Sequence, residues 1–118
     1  RQSENGRIIV ISSIWGETGA SMETIYSAMK SAQIGFVKAL SQELAQTTVT
    51  VNAITPGFVS GNMSKKWSEE ELEEILDELP QHRMIEPCEV AHTCAYLYNP
   101  MAKGVTGTIQ KVNGGWYL

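Results

Sequence analysis

Cysteine, histidine and basic charge are scarce in this chain, and each shortage narrows what it can do. Its 118 residues include two cysteines and two histidines. Cys88 and Cys94 stand six apart on one predicted helix, on different faces, an arrangement that does not suit a disulfide. Free thiols fit a reducing compartment, so the expected location is cytoplasmic. His82 and His92 are isolated, and no Cys/His group has metal-ligand spacing, so no metal is expected. Nine basic residues against thirteen acidic ones give a net charge of −4 and a pI near 5.1. That balance argues against a nucleic-acid partner held through phosphates. No apolar run approaches the roughly 18 residues a membrane helix needs. No signal peptide, internal repeat or low-complexity segment is visible, so neither nucleic acid nor membrane is an expected partner.

What is present is the composition of one modest globular domain, 42% hydrophobic and 19% charged. "RIIVIS" (7–12) is a continuous apolar run, as in a strand buried on both faces. "SSIWGETGASMET" (12–24) is small, polar and glycine-containing and reads as loop. Residues 25–46 carry Met29, Phe36, Val37, Leu40 and Leu44 near helical spacing. "TVTVNAIT" (48–55) is a β-branched strand that ends at Pro56-Gly57. The loop 56–67 leads to Ser68 and Glu71, a capping box, with Trp67 and Leu72 placed as its staple. That acidic helix stops at Pro80; its carboxylates, Glu69 to Glu74, read as a solvated face. Pro87 opens a further helix, and "VTGTIQKV" (105–112) is a third strand. The order β-α-β-loop-α-α-β predicts an α/β fold with a parallel sheet and right-handed crossovers.

The chemistry is carried by "YSAMK" (26–30). Positions i and i+4 are neighbours on a helix face, so Tyr26 and Lys30 adjoin. A phenol is a slow proton donor at neutral pH, and an ammonium beside it favours the phenolate. Such pairs also occur idle on helix surfaces. Here, however, Ser13 ends the first strand thirteen residues earlier, on the sheet edge where parallel sheets bind ligands. The loop Pro56-Gly57-Phe58-Val59 joins the same edge.

The combination of strand, "SS", loop and YxxxK, then "VNAITPG", then "VTGTIQKVNGG", resembles the short-chain dehydrogenase/reductase family, and within it the 3-oxoacyl-acyl-carrier-protein reductases. The match covers the whole chain but only the C-terminal half of such an enzyme. It implies the last three parallel strands and flanking helices of a Rossmann-like doubly wound sheet. It also implies roles. Tyr26 is the acid/base, Ser13 holds the carbonyl oxygen, and Lys30 tunes Tyr26 and binds the nicotinamide ribose. Pro56, Gly57 and Val59 lie along the nicotinamide, with Val59 backbone groups at the carboxamide. The expected cofactor is NADPH, with NADH left open, and the substrate is a small or carrier-bound ketone. Val112, Gly114 and Gly115 match a closing strand that packs between subunits, so a homotetramer or homodimer is expected of the full-length protein.

Departures accompany the likeness. The family's usual threonine, four residues after the Pro-Gly glycine, is Gly61 here, with Ser60 beside it as a substitute. Acyl-carrier-protein reductases often read Gln-x-Asn-Tyr where this chain has Glu23-Thr24-Ile25-Tyr26. With Trp15 in "SSIWGETGAS", the chain resembles the elongation factor P 5-aminopentanone reductases, whose substrate is a ketone on a modified lysine of that protein. The glycine-rich pyrophosphate turn, the Asn-Ala-Gly strand and the upstream catalytic asparagine are not in these residues. The chain, which begins at Arg1 in what reads as a helix end and turn, is therefore expected to be the C-terminal catalytic portion (1–118) of a longer single domain, inactive by itself. Two other readings stand beside this one. "SAMK" fits the Ser-x-x-Lys of acyl-transfer enzymes, but without their Ser-Asp-Asn and Lys-Thr-Gly partners. A non-catalytic assembly or binding module would leave Tyr26 and Lys30 idle. Met63 and Trp67, in the loop before the acidic helix, are candidates to line the substrate site or simply to pack.

Overall fold

The computed structural model describes residues 5–61 and 66–118. Three strands, β1 (Arg7–Ile11), β2 (Thr50–Pro56) and β3 (Ile109–Val112), form a sheet in the order β1-β2-β3. All pairs are parallel, with Ile9 opposite Asn52 and Ile54 opposite Gln110. Between β1 and β2 lie α1 (Ile14–Thr18) and α2 (Thr24–Glu43); between β2 and β3 lie α3 (Glu69–Glu78) and α4 (Pro87–Tyr98). These are the last three strands and flanking helices of a Rossmann-like sheet, as the sequence led one to expect.

The central strand explains the layering. β2 is buried from Thr50 to Thr55, so both of its faces are covered. Val51 and Ala53 pack with Val37 of α2, and Ile8, Val10, Leu40 and Leu44 close around them. Neighbouring residues point to the other face. There the Arg7 guanidinium donates from Nε to the Leu97 carbonyl (3.0 Å), tying the end of α4 to the sheet. Helices therefore lie on both faces, the doubly wound arrangement.

Several sequence expectations change. The segment 12–24 is not all loop: α1 forms there because the Ser13 side chain accepts the Trp15 N–H at 3.1 Å, an N-cap. In α2, Met29 and Phe36 are 64% and 55% exposed, so the packed stripe is Ile34, Val37, Leu40 and Leu44. β3 is shorter than 105–112. Asn52, 1% exposed, takes the place of the ladder at that end: Nδ2 donates to the Val105 carbonyl (2.8 Å), and Oδ1 accepts from Thr108 N (3.1 Å) and Oγ1 (2.6 Å). Gly107, at φ 71°, supplies the left-handed turn that lets its N–H reach the Val51 carbonyl. The Ser68–Glu71 capping box and Pro87 at the first turn of α4 stand where the sequence put them. Cys88 and Cys94 are free thiols on α4. Among the described residues, no helix is long and apolar enough to cross a membrane, and no group of three or more His, Cys, Asp or Glu is placed to hold a metal.

Candidate active site

The carboxyl ends of β1 and β2 open onto a cavity of about 530 Å³. Ser12 and Ser13 leave β1 into its wall, and Tyr26 enters from the first turn of α2. Pro56, Gly57, Phe58 and Val59 continue β2 into it. Ser13, Tyr26 and the Pro56–Val59 loop, far apart in the chain, thus share one wall.

Each is held by an identifiable contact. Ser13 is buried, and its Oγ is already an acceptor for Trp15 N–H. Its own proton is left to be donated. Tyr26, 43% exposed, is among the residues that line the cavity. Lys30 stands behind it, with Nζ 5.5 Å from the Tyr26 ring centroid and 3.5 Å from the Ile11 carbonyl oxygen. The N-terminal half of α2 is tied to the residue after β1 and to α1: Ser12 Oγ donates to the Lys30 carbonyl (2.8 Å), and Ser31 Oγ donates to the Gly16 carbonyl (2.5 Å). Gly16 lets α1 lie against α2, since a Cβ there would fall 2.8 Å from the Lys30 carbonyl carbon.

The loop after β2 is fixed by a bridge between Val59 and Ile85. Ile85 N donates to the Phe58 carbonyl (2.7 Å), and Ser60 N to the Ile85 carbonyl (2.9 Å). That parallel pattern uses the groups flanking Val59 and turns Val59's own N–H and C=O the other way. Gly57 is required by the C-terminal turn, because a Cβ there would lie 2.8 Å from Asn113 Cβ. Ser60 and Lys30 are not part of the cavity wall. Gly61 has φ 147°, a backbone that a threonine would adopt only with strain. Met63 lies outside the described residues; Trp67 lines the cavity.

Sequence reasoning did not assign Glu23, Lys66 or Trp116 to this wall. Trp116 comes from the far end of the chain and meets Trp15 edge-to-face, with centroids 5.2 Å apart and planes at 71°. The tandem serines were a usable signal for Ser12; nothing local marked Trp116. Ser27, the nucleophile of the acyl-transfer reading, is buried and accepts the Ala20 N–H at 3.1 Å. It is absent from the cavity wall, and its hydroxyl has the role of a loop anchor.

Comparison with known proteins bears on the family and the fold. A family model described as enoyl-(acyl carrier protein) reductase matches residues 1–117. An uncharacterised oxidoreductase, YmfI, of Bacillus subtilis is 47% identical over 116 residues, which are 98% of this chain and 48% of that protein. The 3-oxoacyl-[acyl-carrier-protein] reductase FabG of Vibrio cholerae is 37% identical over 117 residues, 99% of this chain and 48% of that one. A variant of actinorhodin polyketide ketoreductase, crystallised with NADPH, superposes with a TM-score of 0.89 at 40% identity, over 96% of this chain and 48% of its own. The chain spans about half the length of the curated relatives it matches.

Proposed function

The chain belongs to the short-chain dehydrogenase/reductase family, and we propose that it carries the proton-transfer site of an NADPH-dependent carbonyl reductase. The observation that supports this reading is the shared cavity wall of Ser13, Tyr26 and the Pro56–Val59 loop. The residues present suit a nicotinamide. Its carboxamide needs one donor and one acceptor, and Val59 offers its N–H and C=O on the side away from Ile85. When bound, the nicotinamide supplies the hydride.

The chain's own residues do the rest. Tyr26 delivers the proton to the carbonyl oxygen as that oxygen gains charge. Ser13, whose Oγ accepts the Trp15 N–H, donates its hydroxyl proton to the same oxygen, an oxyanion-type contact. The Lys30 ammonium behind the ring stabilises the negative charge that proton transfer leaves on Tyr26; its contact with the nicotinamide ribose is carried over from the family resemblance. Ser60 has the adjoining position beyond Val59. The contacts to the rest of the dinucleotide fall to parts of the enzyme beyond these residues. A 3-oxoacyl thioester is the substrate class suggested by the FabG likeness. The 5-aminopentanone group on modified elongation factor P is the second, supported by Glu23 among the lining residues, since an acidic side chain suits an amino-bearing ketone. A cytoplasmic, tetrameric or dimeric enzyme completes the reading.

The test is NADPH oxidation by the full-length enzyme, offered a 3-oxoacyl thioester or a 5-aminopentanone-modified peptide, with NADH compared. Ketone-dependent oxidation is expected with one of them. No oxidation with either would favour the non-catalytic binding module.

A further inference from the structure

We propose that the C-terminal turn is a positioning device for Ser13, acting through Trp116 and α1; the inference rests on the catalytic reading above. Ser13 is useful only if its hydroxyl is aimed, and its aim is set by one hydrogen bond from Trp15 N–H. Trp15 belongs to a helix of five residues, too short to hold its shape unaided. The geometry of α1 must therefore come from what packs on it. On one side Gly16 abuts the backbone of Lys30. On the other side the clamp comes from the chain's end: the Trp116 ring meets Trp15 at 5.2 Å, and Lys111 Nζ sits 3.2 Å from Glu17 Oε2.

The clamp is built rather than incidental. The Glu17 side chain is 7% exposed, and its second oxygen has no hydrogen-bond partner among the described residues. A carboxylate buried in this way depends on its cation. Trp116 is itself fixed by a turn closed around Asn113: Gly115 N donates to Asn113 Oδ1 (2.9 Å), Trp116 N to the Asn113 carbonyl (3.2 Å), and Asn113 Nδ2 to the Tyr117 carbonyl (2.8 Å). Loosening Trp116 frees α1 and with it Ser13, whereas Lys30 keeps its separate tie to Ser12.

The experiment is a double-mutant cycle in the full-length enzyme, read by single-turnover NADPH oxidation so that slow variants stay measurable. Trp116→Ala is expected to slow turnover about tenfold through misaim of a reacting group. Trp116→Phe restores most of the rate. In the Ser13→Ala background, Trp116→Ala costs nothing further, because its effect passes through Ser13. An equal loss in both backgrounds, or full rate in Trp116→Ala alone, overturns the proposal. Trp15→Phe, which keeps the capping N–H, runs the same cycle if Trp116→Ala does not fold. Full activity in Tyr26→Phe would sink the catalytic reading and this one with it; an inactive Tyr26→Phe beside an additive cycle would sink only the role of Trp116.

Discussion

Gly16→Ala is the perturbation whose effect the structure specifies most closely. A Cβ at Gly16 would lie 2.8 Å from the Lys30 carbonyl carbon, 2.9 Å from its Cβ and 2.9 Å from its oxygen. Carbon atoms pack at roughly 3.5–4.0 Å, so α1 and α2 must separate by about 0.7 Å or more. Two of the three atoms are backbone of a long helix and cannot swing aside. Alanine gains up to about 1 kcal/mol of helix propensity over glycine, but overpacking costs about 1–3 kcal/mol. With the full gain offset, a net loss of up to roughly 2 kcal/mol is expected. The displacement opens between Ser13, at the head of α1, and Tyr26 and Lys30, on α2. Misplacement on the order of 1 Å can cost about a hundredfold, so turnover should fall by about ten- to a hundredfold. Urea titration of the full-length enzyme reads the first effect, and NADPH-dependent ketone reduction reads the second. Unchanged midpoint and unchanged rate would show that the α1–α2 contact is not as drawn.

Other outcomes follow from named contacts. Asn52→Ala leaves the Val105 carbonyl and Thr108 N–H without their partner in a buried site; a stability loss of about 2–4 kcal/mol is expected, read as a lower urea midpoint, and an unchanged midpoint would deny Asn52 its role as a hub. Glu89 is held at about 2, below its ordinary 4.5, chiefly by its hydrogen bonds from Arg83 and then from Glu86 N–H. A depressed carboxylate contributes stability that is present above its unfolded pKa and is lost as pH falls through the folded one. Glu89→Gln should therefore flatten the loss of stability between about pH 4.5 and 2, followed by urea midpoints across that range; an identical pH profile would contradict the assignment.

The sequence was legible where signals are local. A continuous Ile/Val run marked β1 and a β-branched run marked β2, but only β2 is covered on both faces; β1, at the edge of this sheet, is half-buried and its Ile11 exposed, against the expectation for 7–12. The Ser68–Glu71 box and Pro87 marked helix starts through backbone chemistry that needs no distant partner. Helix spacing and a strand end were enough to set YxxxK and Ser13 at one sheet edge, whereas the roles proposed for them came from the family resemblance. α1 was hidden since five residues carry no periodicity, and its signal is one side-chain cap. Met29 and Phe36 misled because apolar spacing gives a stripe but not which part of it is covered. Trp116 was invisible as a wall residue, since its contact with Trp15 spans almost the whole chain and depends on the turn around Asn113. The shortened β3 depends on Asn52 in another strand, a buried polar side chain that replaces ladder bonds.

The most direct test of the account is the hydride-transfer rate of Tyr26→Phe in the full-length enzyme, with NADPH binding measured beside it. Removing one hydroxyl leaves the ring and its packing in place. The account expects NADPH to bind and ketone reduction to fall by about 10²–10⁴-fold, the usual worth of a general acid. Reduction at the wild-type rate would contradict the assignment of Tyr26, and with it the reading of this cavity as a reduction site.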